Sequence, residues 1–313
     1  MPNEVLNPLL NPVLNRMLKI LALVCLMSTS AFALRVAGLK PWAGTAEYVS
    51  MGALDAQKEV FSGRADVALV RTPMKTPKGA GKALFYPVSV FPVVVAYNLP
   101  VDLTLTLEEV CDVFSGRILE WSSLRPDLPR LPIFSVVRLE PNSASWVLSQ
   151  TCMGINARFK KIGMKSNWQA ESTLKVKTLQ EQQKAMGQTG TFSIFVPENL
   201  PEGLRTAKLK SWDLDLGPEN LGYGYAANPE EEPFAGPFQP LPPVNEVQVY
   251  PLRGVVWAMV MQEQAYRNRS KEQARELRDL LYSLSITAGP GQALMPQEWV
   301  KVPRLYYNGK PFW

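Results

Sequence analysis

Three consecutive stretches, Leu34–Gly38, Ala53–Phe61 and Ala65–Val70, constrain the fold more than any other part of the chain. The first reads as a short strand that ends at a glycine. The second reads as a helix stopped by Gly63, and the third as a buried strand that Pro73 turns. A strand, a helix and a second strand in this order build a parallel sheet, so an α/β fold is expected. Of the 313 residues 46% are hydrophobic and 19% charged, enough apolar mass for one large core or two lobes. No internal repeat is evident.

Further elements follow the same alternation. Phe91–Leu99 is β-branched and mostly apolar, a strong strand. Thr106 and Glu109 stand at the spacing of a capping box and open a helix that carries Leu107, Val110 and Phe114 on one face and stops at Gly116. Ile133–Val137 is another buried strand, and a helix follows it to about Cys152. Thr178 with Glu181 makes a second capping box, its helix ends at Gly187, and Thr191–Val196 returns as a strand. Residues 217–243 are rich in proline and glutamate and read as a loop or linker, with Glu230–Glu232 a solvated tip. Val255–Val260 resumes strand character, and Ser270–Leu284 is an amphipathic helix with Ala274, Leu277, Leu281 and Leu284 on one face.

Composition removes several function classes. The chain has no histidine, so a Ser-His-Asp triad, a Cys-His pair and a His-zinc site are all excluded. Carboxylate-only and Ser-Lys catalysis stay open. A net charge of +5 without any dense basic run does not argue for nucleic acid. It suits an anionic ligand, as it suits an ordinary solvated surface.

The N-terminus reads as a secretory signal peptide over residues 1–33. Arg16 and Lys19 form a basic region, residues 18–27 an apolar stretch too short for a comfortable span, and Ala31-Phe32-Ala33 a small-x-small cleavage site. Met17 reads as an alternative start. Cleavage after Ala33 removes Cys25 and leaves Cys111 and Cys152, which an oxidising compartment can join and which can equally be two buried thiols. A periplasmic or secreted location follows from this reading.

The segment richest in chemistry is the strand that runs into Arg138 and the helix that starts at Asn142-Ser143-Ala144-Ser145. A helix N-terminus presents unpaired N–H groups and the positive end of the dipole. Asn142, Ser143 and Ser145 add short polar side chains, and Arg138 a fork of donors matched to an oxyanion. These residues fit an anion site; they also fit an ordinary N-cap beside a surface arginine. Thr45, after the first strand, can add a hydroxyl, or be a plain turn residue.

The run Leu105-Thr-Leu-Glu-Glu-Val-Cys-Asp-Val-Phe-Ser-Gly-Arg-Ile-Leu-Glu-Trp121 resembles the phosphate-specific substrate-binding proteins of ABC transporters, nearest to their DING subfamily. Val136-Val-Arg-Leu-Glu140, Tyr250-Pro-Leu-Arg-Gly254 and Gly291-Gln-Ala-Leu-Met-Pro296 are similar to that family's segments in the same order, over about residues 34–303. The resemblance implies a type II periplasmic binding protein fold, α/β, with two lobes and mixed sheets around a ligand cleft. Residues 34–97 with 248–313 would form lobe 1 and residues 98–247 lobe 2. It implies binding and not catalysis, no cofactor, no metal, an inorganic phosphate or similar oxyanion as ligand, and an ABC transporter membrane complex as partner. It also implies a Cys111–Cys152 disulfide.

The departures from the family shape the expectation for the site. Its Ser-Gly-Thr loop reads Asn142-Ser143-Ala144-Ser145 here, and its Gly-Ser-rich helix start reads Gly52-Ala53-Leu54. Its Ser-Asp pair falls on Val70-Arg71. An aspartate accepts a hydrogen bond from a protonated oxyanion, whereas an arginine only donates. The anion-binding set expected from the sequence is therefore Thr45, Arg71, Arg138, Asn142, Ser143 and Ser145, with a weakened preference for protonated anions. A protein that keeps the fold and has lost tight binding, working as a scaffold, is the alternative.

Overall fold

The computed structural model describes residues 33–74, 76–169, 173–221, 249–267, 269–295 and 304–312. The signal-peptide reading with Cys25, most of the 217–243 segment, Pro296 and Trp313 lie outside the described residues.

The β-α-β opening forms as β1 (Arg35–Gly38), β2 (Glu47–Ser50), α1 (Ala53–Phe61) and β3 (Val67–Val70). Strand β2 is an addition that the sequence reading lacked, and it pairs in parallel with β1. β4 (Ala83–Pro92) and β13 (Arg253–Met261) complete a five-stranded sheet in the order β2-β1-β3-β13-β4. β1 and β3 are parallel, and β13 runs antiparallel to both β3 and β4.

This sheet is covered on both faces, which is why β3 and β4 are buried along their whole length and lack alternation. Ala37, Ala68, Val70, Phe85 and Met259 meet Ala56 and Val60 of α1 on one face. Val36, Val67, Leu69 and Leu84 meet Leu277, Leu281 and Leu284 of helix α7 (Lys271–Ile286) on the other. The register of β13 on β4 shifts at Val256/Trp257, where Pro87 stands opposite Trp257. A proline has no N–H to give the ladder, and a bulge absorbs the gap.

The apolar run Phe91–Leu99 is not one strand. β4 ends at Pro92, and β5 (Val94–Tyr97) hydrogen-bonds in a second sheet, to β9 (Thr191–Phe195) and β10 (Arg205–Thr206). The chain changes sheets at Val93, whose N–H donates to the Leu252 carbonyl and whose carbonyl accepts from the Tyr250 hydroxyl, each at 2.9 Å. The return crossing, just before Arg253, is thus pinned to the outward one. Residues 94–97, which the sequence reading grouped with lobe 1, pair in the second sheet.

That second sheet has the order β10-β5-β9-β7-β8, with β7 (Phe134–Arg138) parallel to β8 (Thr173–Val176) and to β9. Helices α2 (Leu107–Phe114) and α4 (Ser143–Ile155) cover one face through Val110, Phe114 and Leu148, packed on Val95, Val137, Phe192 and Ile194. α6 (Leu179–Ala185) flanks the other, where Met186 packs with Val94, Ala96, Val136 and Phe195. Short helices α3 (Trp121–Leu124) and α5 (Ala157–Ile162), a small sheet of β6 (Thr104–Leu105), β11 (Lys208–Ser211) and β12 (Leu214–Leu216), and a hairpin of β14 (Leu305–Tyr307) and β15 (Lys310–Phe312) complete the described residues.

The first capping box forms as expected. The Thr106 hydroxyl accepts from the Glu109 N–H, and Glu109 accepts from the Thr106 N–H. The second forms only by half. Thr178 caps Glu181, but the Glu181 carboxylate takes the N–H of Lys177, one residue upstream.

Candidate functional site

Parallel strands point their C-terminal ends the same way, and the loops beyond those ends form the crevice of an open α/β sheet. Here the ends of β1, β2 and β3 from the first sheet and β7 and β9 from the second face one cleft of about 430 Å³. Leu39, Met51–Asp55 and Leu69–Thr72 line one wall. Arg138, Glu140–Ser143, Val196, Glu198 and Asn199 line the other.

Two helices open onto this space. α1 starts at Gly52, which offers no side-chain cap, so the first N–H groups of the helix stay open. α4 starts at Asn142, whose side chain caps the Ser145 N–H at 2.8 Å and leaves the preceding turn toward the cleft. α4 is held firmly. Gly254 of β13 lies against it, and a Cβ there would sit 2.5 Å from Val147 Cγ2 and 2.7 Å from Phe91 Cζ. At its other end Cys152 is bonded to Cys111 of α2, and Asn156 donates to Asp112 and Ser115.

Gly38 forms the turn at the head of β1. Its φ is +101°, and a Cβ would fall 2.4 Å from the Leu69 carbonyl oxygen, so only glycine fits.

Two arginines enter the cleft from opposite sheets. Arg71 follows β3 and Arg138 ends β7, and each side chain is only 11% exposed. A charge withdrawn this far from water needs a partner. Arg138 lies 3.4 Å from Glu140. Burial pushes its guanidinium below the ordinary arginine value, and Glu140 works the other way. Arg71 stacks over the Phe91 ring at 4.6 Å and forms an ion pair with Glu198. The Nε of each arginine is buried without a hydrogen-bond partner. The Thr72 side chain, nearly buried, lies next to Arg71 in the wall.

Of the six residues named from the sequence, the structure brings Arg71, Arg138, Asn142 and Ser143 to the cleft. Thr45 is elsewhere. It precedes β2, at the N-terminal end of the parallel strands, where it faces Glu276, Asp279 and Ser283 of α7. A turn at that end cannot reach a cleft built on the opposite ends. Ser145 is buried as the third residue of α4, its N–H capped by Asn142 and its carbonyl accepting from the Trp168 indole at 3.2 Å, and it does not line the cleft. Sequence reasoning missed Asp55, Thr72, Glu198 and Asn199. Glu198 carried no local signal, because its significance comes only from the second sheet facing Arg71.

Among the described residues no group of three or more His, Cys, Asp or Glu stands together as metal ligands would.

Comparison with known proteins bears on the fold. A search of curated proteins finds no match. The solved structure of a high-affinity periplasmic phosphate-binding protein (PfluDING) bound with phosphate superposes with a TM-score of 0.62 at 16% identity, covering 86% of this chain and 92% of that one. A phosphate-binding protein from Stenotrophomonas maltophilia gives 0.60 at 16% identity, with 86% and 92% covered. An ABC-type phosphate transport receptor from Vibrio cholerae gives 0.51 at 13% identity, with 84% and 100% covered. A family model described as a PBP superfamily domain matches residues 29–273. With that match running through both sheets, the chain belongs to the PBP superfamily and has the fold of the type II periplasmic binding proteins.

Proposed function

We propose that the protein is an extracytoplasmic solute-binding protein that takes inorganic phosphate or a related oxyanion in the cleft, for delivery to an ABC transporter membrane complex. The two sheets act as its lobes and meet at the crossings beside Val93 and Leu252. The observation that carries this reading is the convergence of two buried guanidiniums, Arg71 and Arg138, and two helix N-termini on one small cleft. Every one of these is a donor or a positive end, and their common complement is a compact anion. The similar structures named above are phosphate-binding proteins, which supports the oxyanion, and the secretory pattern of residues 1–33 supports export. The role is binding and not catalysis.

One observation favours a second reading, a scaffold protein without tight anion binding. Each arginine already has a carboxylate beside it, Glu198 for Arg71 and Glu140 for Arg138. A thermal unfolding series with phosphate, sulfate and small carboxylates separates the two. A ligand that binds only the folded state raises the midpoint. A concentration-dependent rise with an oxyanion is expected; no rise with any of them leaves the scaffold reading.

A further inference from the structure

The ion pair between Arg71 and Glu198 differs from the other ion pairs among the described residues in where its partners come from. Arg71 belongs to the first sheet, just past β3, and Glu198 to the second, in the short 3-10 helix Pro197–Asn199 after β9. Both line the cleft. The guanidinium is immobile in kind: 11% exposed, stacked on Phe91, with its Nε buried. Glu198 is the freer partner, with its side chain 51% exposed. An arginine fork offers carboxylate and oxyanion the same donors, so a carboxylate seated there stands where a ligand oxygen would.

We propose that Glu198 is a specificity-determining residue of the cleft, a tethered carboxylate that competes with the incoming anion for Arg71. This deepens the oxyanion reading and rests on it. A group held by a short stretch of chain acts at an effective concentration in the millimolar range or above. A free anion therefore gains Arg71 only by displacing Glu198. It does so when its other contacts, to Arg138 and to the starts of α1 and α4, make up the difference. Anions too weak or too small to span both arginines are turned away. The carboxylate also adds negative charge at the mouth, which disfavours anions that keep it in place. Glu198 thus raises the affinity threshold for every ligand, and raises it most for those that rely on Arg71.

The test is calorimetric titration of inorganic phosphate and of sulfate into the mature chain and into Glu198→Gln, Arg71→Gln and the double variant. Glutamine keeps the size of Glu198 and removes its charge; the residue is half-exposed, so folding is preserved, and a matching far-ultraviolet spectrum and unfolding midpoint check this. Competition predicts that Glu198→Gln tightens at least one anion by about tenfold or more, and that the same change in the Arg71→Gln background has little effect. Glu198→Asp, one methylene shorter, falls between wild type and Gln. Measurable wild-type binding with an unchanged or weakened Glu198→Gln variant overturns the competitor proposal and leaves the oxyanion reading standing. Equal tightening in both backgrounds also overturns it, because a general charge effect needs no contest for Arg71. No binding of either anion to any of the four proteins overturns the oxyanion reading, and the proposal with it.

Discussion

Replacing both Cys111 and Cys152 by alanine gives the most direct measure of how the cleft helix is held. The bond joins residues 41 positions apart, and both cysteines are fully buried. Cross-linking restricts the unfolded chain more than the folded one, so the loss appears as a more disordered unfolded state. For a loop set by that 41-residue separation, the chain-entropy relation gives about 4 kcal/mol at 25 °C. The lost sulfur packing between α2 and α4 adds to this in the same direction. With a urea slope of about 3 kcal/mol per molar, near the upper end for single domains, the midpoint should fall by about 1.3 M. Tryptophan emission is a suitable probe, because Trp168 packs edge-on against Phe159 at 5.0 Å and, at 5.6 Å, against Phe114 of α2, the helix that carries Cys111. A midpoint that moves by less than about 0.3 M with an unchanged slope refutes the reasoning, since the cross-link would then contribute less than about 1 kcal/mol. Thiol titration of the unfolded, unreduced mature protein should find no free thiol.

Three other outcomes follow from the same structure. Arg138→Ala should weaken oxyanion affinity by at least about tenfold in calorimetry, with Arg138→Lys recovering only part, because an ammonium lacks the planar fork. Thr106→Ala should lower stability by about 1 kcal/mol in urea unfolding, by removing the acceptor of the Glu109 N–H. Glu109 makes stability pH-dependent: burial works against its charge, but hydrogen bonds from Arg125 and from Thr106 outweigh it and hold its carboxyl below the ordinary value. A depressed folded pKa means a contribution fully present above the ordinary carboxylate value, about 4.3, and lost as pH falls through the lower folded one. Glu109→Gln should accordingly flatten part of the acid limb of a midpoint-against-pH curve.

Elements governed by local rules were legible in the chain. Helix α1 forms over the residues that the apolar spacing and Gly63 indicate, and the Thr106 capping box closes as its spacing requires. The run into Arg138 and Asn142 gave the better half of the cleft, because a strand leading into a helix start is a local pattern. What was not legible depends on contacts between distant segments. Phe91–Leu99 looks like one strand, since nothing in its apolar run marks the change of sheet at Val93. The early part of β4 is not legible because Pro87 argues against a strand, and the irregularity that tolerates it, with Val88 of β4 left out of the pairing to β13, depends on a partner strand far away in the sequence. Thr45 was misplaced because closeness in sequence to β1 does not say which end of the sheet a turn occupies. Glu198 acquires its meaning only when the two sheets are brought together.

The position of β13 has a consequence for how this molecule assembles. It is the strand between β3 and β4, yet it is made long after both, with the whole second sheet intervening. Until Arg253–Met261 emerges, β3 and β4 each carry an open edge of unpaired backbone, and the first sheet cannot close. Closing it costs the entropy of a very long loop, unless the second sheet has already folded and shortened that loop by bringing Val93 and Leu252 together. The second sheet, built from one continuous segment, can form first and act as the template. A chain delivered from its N-terminus thus exposes two apolar, edge-bearing strands until the second sheet and Arg253–Met261 have followed, and its window for aggregation shuts only then.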